Sequence, residues 1–157
     1  MGAVSAASAE FPVSAAVLGP GGQKLRAWQA AALAGYDADR PQDFLLHATP
    51  GAGKTSFALT VAGRLLAGRV VDRVVVVCPT DHLRNQWAAA GVRAGIALDA
   101  NLPNSVGPVR ADVSGYVTTY AQVAGHPMLH RARATAKRSL VIMDEICLLY
   151  TSPSPRD

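Results

Sequence analysis

Apolar residues in this chain fall in short blocks, and the spacing within each block decides what it can form. From Lys24 onward, Leu25, Trp28, Ala31 and Ala32 share one helical stripe that Gly35 interrupts, so a helix ending there and a loop over 37–42 are expected. Four blocks without strict polar alternation, at 44–48, 73–78, 116–119 and 140–144, read as strands covered on both faces. Helical periodicity fills the gaps at 54–67, 81–94 and, less clearly, 123–136. Strands alternating with helices predict an α/β fold, with a mainly parallel sheet and helices on both faces. No internal repeat is visible.

The two ends stand apart from this pattern. Residues 1–22 are rich in Ala, Ser and Gly without periodicity and read as a mobile leader, closed by the turn Gly19-Pro20-Gly21-Gly22. Residues 147–157, CLLYTSPSPRD, resemble the conceptual translation of a sequencing-library transposase adapter, the alternative being a natural tail rich in Ser and Pro. On the adapter reading the domain occupies 23–146, and the natural protein continues past Ile146.

Composition narrows the classes. With 157 residues, one domain with a real core is possible but a two-lobed machine is not. A chain 50% apolar and 17% charged is not disordered over most of its length. No apolar run approaches the roughly 18 residues of a membrane span, and the N-terminus lacks a secretory layout, so a cytoplasmic location is expected and no membrane partner. Ala6 stands where myristoylation would need Ser or Thr. The two cysteines, Cys78 and Cys147, form no CxxC and have no histidine at ligand spacing, which argues against zinc and a structural disulfide. His47, His126 and His130 have no evident partners and default to structural or solvated roles. The net charge of +4 suits contact with phosphate without demanding it.

Chemistry enters where the first of the four strands meets the first long helix, at Ala48-Thr49-Pro50-Gly51-Ala52-Gly53-Lys54-Thr55. Gly51 and Gly53 let backbone amides close around phosphate oxygens, and the helix N-terminus adds its positive end. Pro50, Ala52 and Ser56 complete the loop and the first turn. Lys54 is placed to reach the outer phosphates of ATP and the Thr55 hydroxyl to ligate Mg²⁺. Ala48 replaces the Gly of the general P-loop formula. A chance Gly-rich turn is the bland alternative, and the strand and helix on either side argue against it.

A second element follows at Leu140-Val141-Ile142-Met143-Asp144-Glu145, where an apolar strand delivers two carboxylates to the edge at which parallel sheets bind ligands. Asp144 is expected to hold Mg²⁺ and Glu145 to deprotonate the attacking water. Without a P-loop the same pair would read as the start of a polar loop.

Together with Leu25-Arg26-Ala27-Trp28-Gln29, these motifs resemble the first RecA-like domain of superfamily 2 DEAD/DEAH-type helicases, nearest to the branch containing type III restriction subunits and related translocases. In that family Ala is frequent at the place of Ala48. The resemblance implies that Gln29 reads the adenine edge and that Arg26 supports the nucleotide pocket, while Trp28 packs in the core. Val77-Cys78-Pro79-Thr80-Asp81-His82-Leu83-Arg84-Asn85-Gln86-Trp87 is similar to a region that grips a nucleic-acid backbone, a role falling to Thr80 and Arg84. Ordinary helix capping would equally explain Thr80, and Leu83 and Trp87 read as core. Val117-Thr118-Thr119-Tyr120 resembles a later strand-binding motif, with Thr119 as the candidate. The Arg-rich stretch 130–138 reads as a solvated helix face ahead of a nucleic-acid patch.

The resemblance further implies a nucleic-acid partner, DNA ahead of RNA, a second RecA-like domain in cis that supplies arginine fingers, and a nuclease or methylase partner subunit. It also implies that this length of chain alone binds nucleotide weakly and turns over negligibly. Two rival classes stay open: another P-loop enzyme, such as a phosphotransferase with a small-molecule acceptor, and a silent binding module. The first leaves the Leu-Arg-x-Trp-Gln segment unexplained, and the second leaves Lys54, Thr55, Asp144 and Glu145 unexplained.

Overall fold

The computed structural model describes residues 2–5, 25–39, 43–47, 53–104, 109–144 and 148–151. In chain order they form β1 (Gly2–Ser5), α1 (Ala27–Asp39), β2 (Asp43–His47), α2 (Lys54–Ala67), β3 (Arg73–Cys78), α3 (Asp81–Arg93), β4 (Leu98–Asp99), β5 (Gly115–Thr119), α4 (Tyr120–Gly125), α5 (Pro127–Thr135), β6 (Ser139–Met143) and β7 (Leu148–Thr151). The sheet order is β1-β2-β7-β6-β3-β5-β4. Strands β6, β3, β5 and β4 pair in parallel throughout, as the unbroken apolar blocks predict.

Both faces of β3 are buried, and its four valines divide between two cores. Val74, Val76 and Cys78 face α1, α2 and α3, joining Phe57, Val61, Trp87, Leu140 and Ile142. Val75 and Val77 face the other way with Tyr116, under Val123, Val109 and Leu102. Each fully buried Val, Leu or Phe side chain contributes about 1.5–3 kcal/mol, so this two-sided strand anchors the fold. Gly115 is required where β5 meets β3, because a Cβ there would stand 1.7 Å from the Val74 carbonyl oxygen.

Four differences from the expected elements have physical reasons. Helix α1 runs through Gly35 to Asp39, since Gly in a helix costs only about 1 kcal/mol and buried Tyr36 anchors the extra turn. The single helix expected at 123–136 is two, because Pro127 has no N–H to donate and starts α5 instead of continuing α4. The two-residue β4 is too short to leave a periodicity. Strands also form outside 23–146: β1, within the stretch read as a leader, extends the sheet parallel to β2, and β7, within 147–157, lies antiparallel between β2 and β6. Unpaired backbone along β2 and β6 offers hydrogen bonds to any extended segment within reach. Among the described residues no helix is long and apolar enough to cross a membrane.

Candidate nucleotide-binding site

Parallel register places the expected chemistry on one rim of the sheet. Met143 pairs with Val77 and Val77 with Thr118, and Cys78 pairs with Thr119 in the next row. The Asp144 N–H donates to the Val77 carbonyl at 2.8 Å, so Asp144 stands beside Cys78 at the strand ends. Strands β2 and β6 both run against β7, and therefore run the same way. Leu45 and Met143 both lie level with Leu148, so β2 ends at His47 on the rim that carries Asp144.

Helix α2 opens with Gly53 at φ 93°, ψ 33°, a left-handed conformation that favours glycine. Its hydrogen-bond ladder starts with the Phe57 N–H on the Gly53 carbonyl, at 3.1 Å. By helix geometry the amides of Lys54, Thr55 and Ser56 precede that ladder and point outward, and no acidic side chain occupies the first turn. The result suits an anion. Thr55, Ser56 and Asp144 line one cavity of about 460 Å³, together with Gln86 and Trp87 of α3. A hydroxyl and a carboxylate facing one space are hard oxygen donors, which fit Mg²⁺. Among the described residues no group of three or more His, Cys, Asp or Glu gathers where it could hold a metal by itself. A cation here would therefore complete its coordination with phosphate oxygens and water. Pro50, Gly51, Ala52 and Glu145 lie outside the described residues, as do Ala48 and Thr49.

Asp144 is held by two groups that sequence reading missed in this role. The Trp87 indole N–H donates to Asp144 Oδ2 at 2.9 Å, and the Tyr120 hydroxyl donates to the Asp144 carbonyl at 2.6 Å. Trp87 is in the core as expected, 4% exposed. The available signal was chemical: an indole buried in a core needs an acceptor for its N–H.

Gln29 lies against the P-loop glycine. It is 4% exposed, its Nε2 donates to the Gly53 carbonyl at 2.9 Å, and its Oε1 accepts from the Arg26 N–H at 2.8 Å. A Cβ on Gly53 would come within 2.7 Å of that Nε2 and 3.9 Å of an Arg26 guanidinium nitrogen. Arg26, Gln29 and Gly53 therefore form one cluster, while Trp28 stacks obliquely on Phe57 at 5.9 Å.

The residues expected to touch nucleic acid occupy two neighbouring helix starts. Thr80 is exposed and caps α3, its Oγ1 accepting from the Leu83 N–H at 3.2 Å. Arg84 is turned inward: it pairs with Asp81 at 3.2 Å and donates to Gln122 Oε1 at 3.0 Å. Thr119 is only 4% exposed and forms a capping box with Gln122 at the start of α4, while Tyr120 beside it is exposed. Both caps behave as ordinary helix chemistry requires.

Nor is the Arg-rich stretch one solvated face. Arg133 and His130 are buried under α5, with the Arg133 guanidinium 5.8 Å from the Tyr116 ring centroid. His130 does have partners: Asn104 Oδ1 lies 2.8 Å from Nε2 and the Tyr116 hydroxyl 3.4 Å from Nδ1. Burial, with Arg133 and His126 nearby, holds its pKa below the usual histidine range. Cys78 is buried, contacts the Thr80 and Thr118 carbonyls, and has its thiol pKa raised by desolvation, the pattern of an inert cysteine.

Comparison with known proteins adds three findings. Residues 22–147 match the family of the type III restriction enzyme, res subunit. An uncharacterized protein of Mycobacterium tuberculosis is 49% identical over 135 residues, covering 86% of this chain and 22% of that protein. An uncharacterized protein of Mycobacterium leprae is 49% identical over 122 residues, 78% of this chain and 20% of its own length. The chain thus spans about a fifth of the length of these relatives. No solved structure is matched.

Proposed function

This chain belongs to the type III restriction enzyme res-subunit family, helicase-like ATPases with a RecA-like fold, and from that premise we propose that it is the ATP-binding lobe of a nucleic-acid-dependent motor. The observation carrying the reading is the cavity that Thr55 of α2 and Asp144, the residue just past β6, line together. Two segments far apart in sequence meet where a triphosphate and its cation would sit. A chance glycine turn gives no reason for that meeting.

Each residue has a task set by its chemistry. The outward amides at the start of α2 bind phosphate oxygens, and Lys54 neutralises charge on the outer phosphates. Thr55 and Asp144 would hold Mg²⁺, which when bound offsets the negative charge of the phosphates. Glu145 orients the attacking water and accepts its proton. Gln29 and Arg26, packed on Gly53, flank the place for the adenine. The exposed helix starts at Thr80 and Tyr120 meet the nucleic-acid backbone, DNA in preference to RNA, with weak sequence preference and strong salt dependence. Robust turnover belongs to the full-length protein, whose second lobe would supply the arginine fingers.

Isothermal calorimetry with Mg²⁺ and ATPγS tests the reading. Lys54→Ala should weaken binding at least about tenfold, the size of a lost hydrogen bond to a charged group, while the unfolding midpoint stays put. Unchanged affinity in that variant would remove the phosphate site from the account.

A further inference from the structure

Asp144 receives one hydrogen bond from each of the two helices whose starts form the candidate nucleic-acid corners. Trp87 of α3 donates to its carboxylate and Tyr120 of α4 to its carbonyl. The two corners are also yoked to each other: Gln122 Oε1 accepts from Arg84 of α3 at 3.0 Å, from the Thr118 hydroxyl at 2.9 Å and from the Thr119 N–H at 3.2 Å. Trp87 lies seven residues beyond the cap Thr80, nearly two full turns and so on the same face of α3. It is packed in the core and cannot swing independently of its helix.

We propose that Trp87 and Tyr120 are positioning residues that link Asp144 to both strand-gripping corners, so that nucleic acid held at Thr80 and Tyr120 changes how the carboxylate presents itself to the cation. The link rests on the reading of Asp144 as the metal-side ligand. A carboxylate has about four acceptor sites, so the indole bond orients it without consuming it. Backbone and side chain of one residue are fixed from two helices, and a rigid shift of either helix is passed on over one hydrogen bond. Tyr120, 37% exposed, is the only one of the two linking side chains open to a ligand. It can trade its bond to the Asp144 carbonyl for one to a phosphate oxygen, which gives the corner a direct way to release Asp144.

The chain has two tryptophans, so a Trp28→Phe background leaves the Trp87 indole N–H as a single NMR reporter. Its resonance should move on addition of Mg²⁺ with ATPγS, stay still with ATPγS in EDTA, and move again when single-stranded oligo(dT) is added. Tyr120→Phe should keep the first response and weaken the second, the Thr80 corner still acting on Trp87 through α3. Trp87→Phe should raise the Mg²⁺ concentration for half-maximal nucleotide binding about tenfold, the low end of what losing a partner that orients a metal-holding side chain costs, leaving affinity in EDTA unchanged. An indole that ignores Mg²⁺ in protein that demonstrably binds ATPγS overturns the link to the carboxylate. An indole that ignores oligo(dT), or responds equally in Tyr120→Phe, overturns the link to the corners. Loss of ATPγS binding altogether, with Lys54→Ala no different from the parent, would instead remove the underlying reading.

Discussion

Changing one atom at Gln29 tests how Gly53, at the start of α2, is held. In Gln29→Glu, the amide nitrogen that donates to the Gly53 carbonyl becomes an oxygen 2.9 Å from it, in a site 4% exposed. The Arg26 N–H still has its acceptor at 2.8 Å, and Gly53 keeps the Phe57 N–H, so the damage is confined to one contact. The lost bond is worth about 1 kcal/mol, and a buried polar group turned against its neighbour adds about 1–3 more, giving a deficit near 3 kcal/mol at neutral pH. At about 2–4 °C per kcal/mol for a chain of this size, the midpoint should fall by about 6–12 °C. Burial raises the pKa of the introduced carboxyl above its unfolded value of about 4.3. With the folded pKa raised, stability is fully present below about 4.3 and lost as pH rises through the folded value. The deficit against the parent should therefore shrink on acidification, because the protonated acid can donate to Gly53 again. Urea denaturation of both proteins at several pH values measures it, with Gln29→Leu as a control whose deficit does not follow pH. No deficit, or one equal at every pH, would refute the Gln29–Gly53 bond.

Three further outcomes follow. Gly115→Ala should destabilise by about 3 kcal/mol or prevent folding, since backbone must move to admit the Cβ, and chemical denaturation reads the loss. His130 has a depressed folded pKa, so its contribution is present above about 6.5, the unfolded value, and is lost as pH falls through the folded one; His130→Gln should flatten that part of the stability–pH curve. Gly53→Ala should weaken both ATPγS affinity and thermal stability, because it forces positive φ on a residue with a side chain and pushes Gln29 away.

The central architecture was legible because its signals are local. The valine run and the P-loop junction set β3 and α2 at their expected limits, 73–78 and 54–67. Parallel pairing then follows from strands without polar alternation. What escaped depends on contacts across the fold. Trp87 and Asp144 are 57 residues apart, and no periodicity signals that an indole in the core points its N–H at a carboxylate. Thr119 is of the expected type at the expected corner, but β5 is buried on both faces and the Gln122 N–H takes up its hydroxyl. His130 and Arg133 looked like surface charge because a sequence does not display the buried partners Asn104 and Tyr116.

The most direct measurement is an experimental structure with ATPγS and Mn²⁺ in place of Mg²⁺, located by anomalous scattering. The account predicts phosphates on the amides that open α2 and an anomalous peak in the cavity shared by Thr55 and Asp144. Nucleotide bound elsewhere, or a peak remote from Asp144, would contradict it.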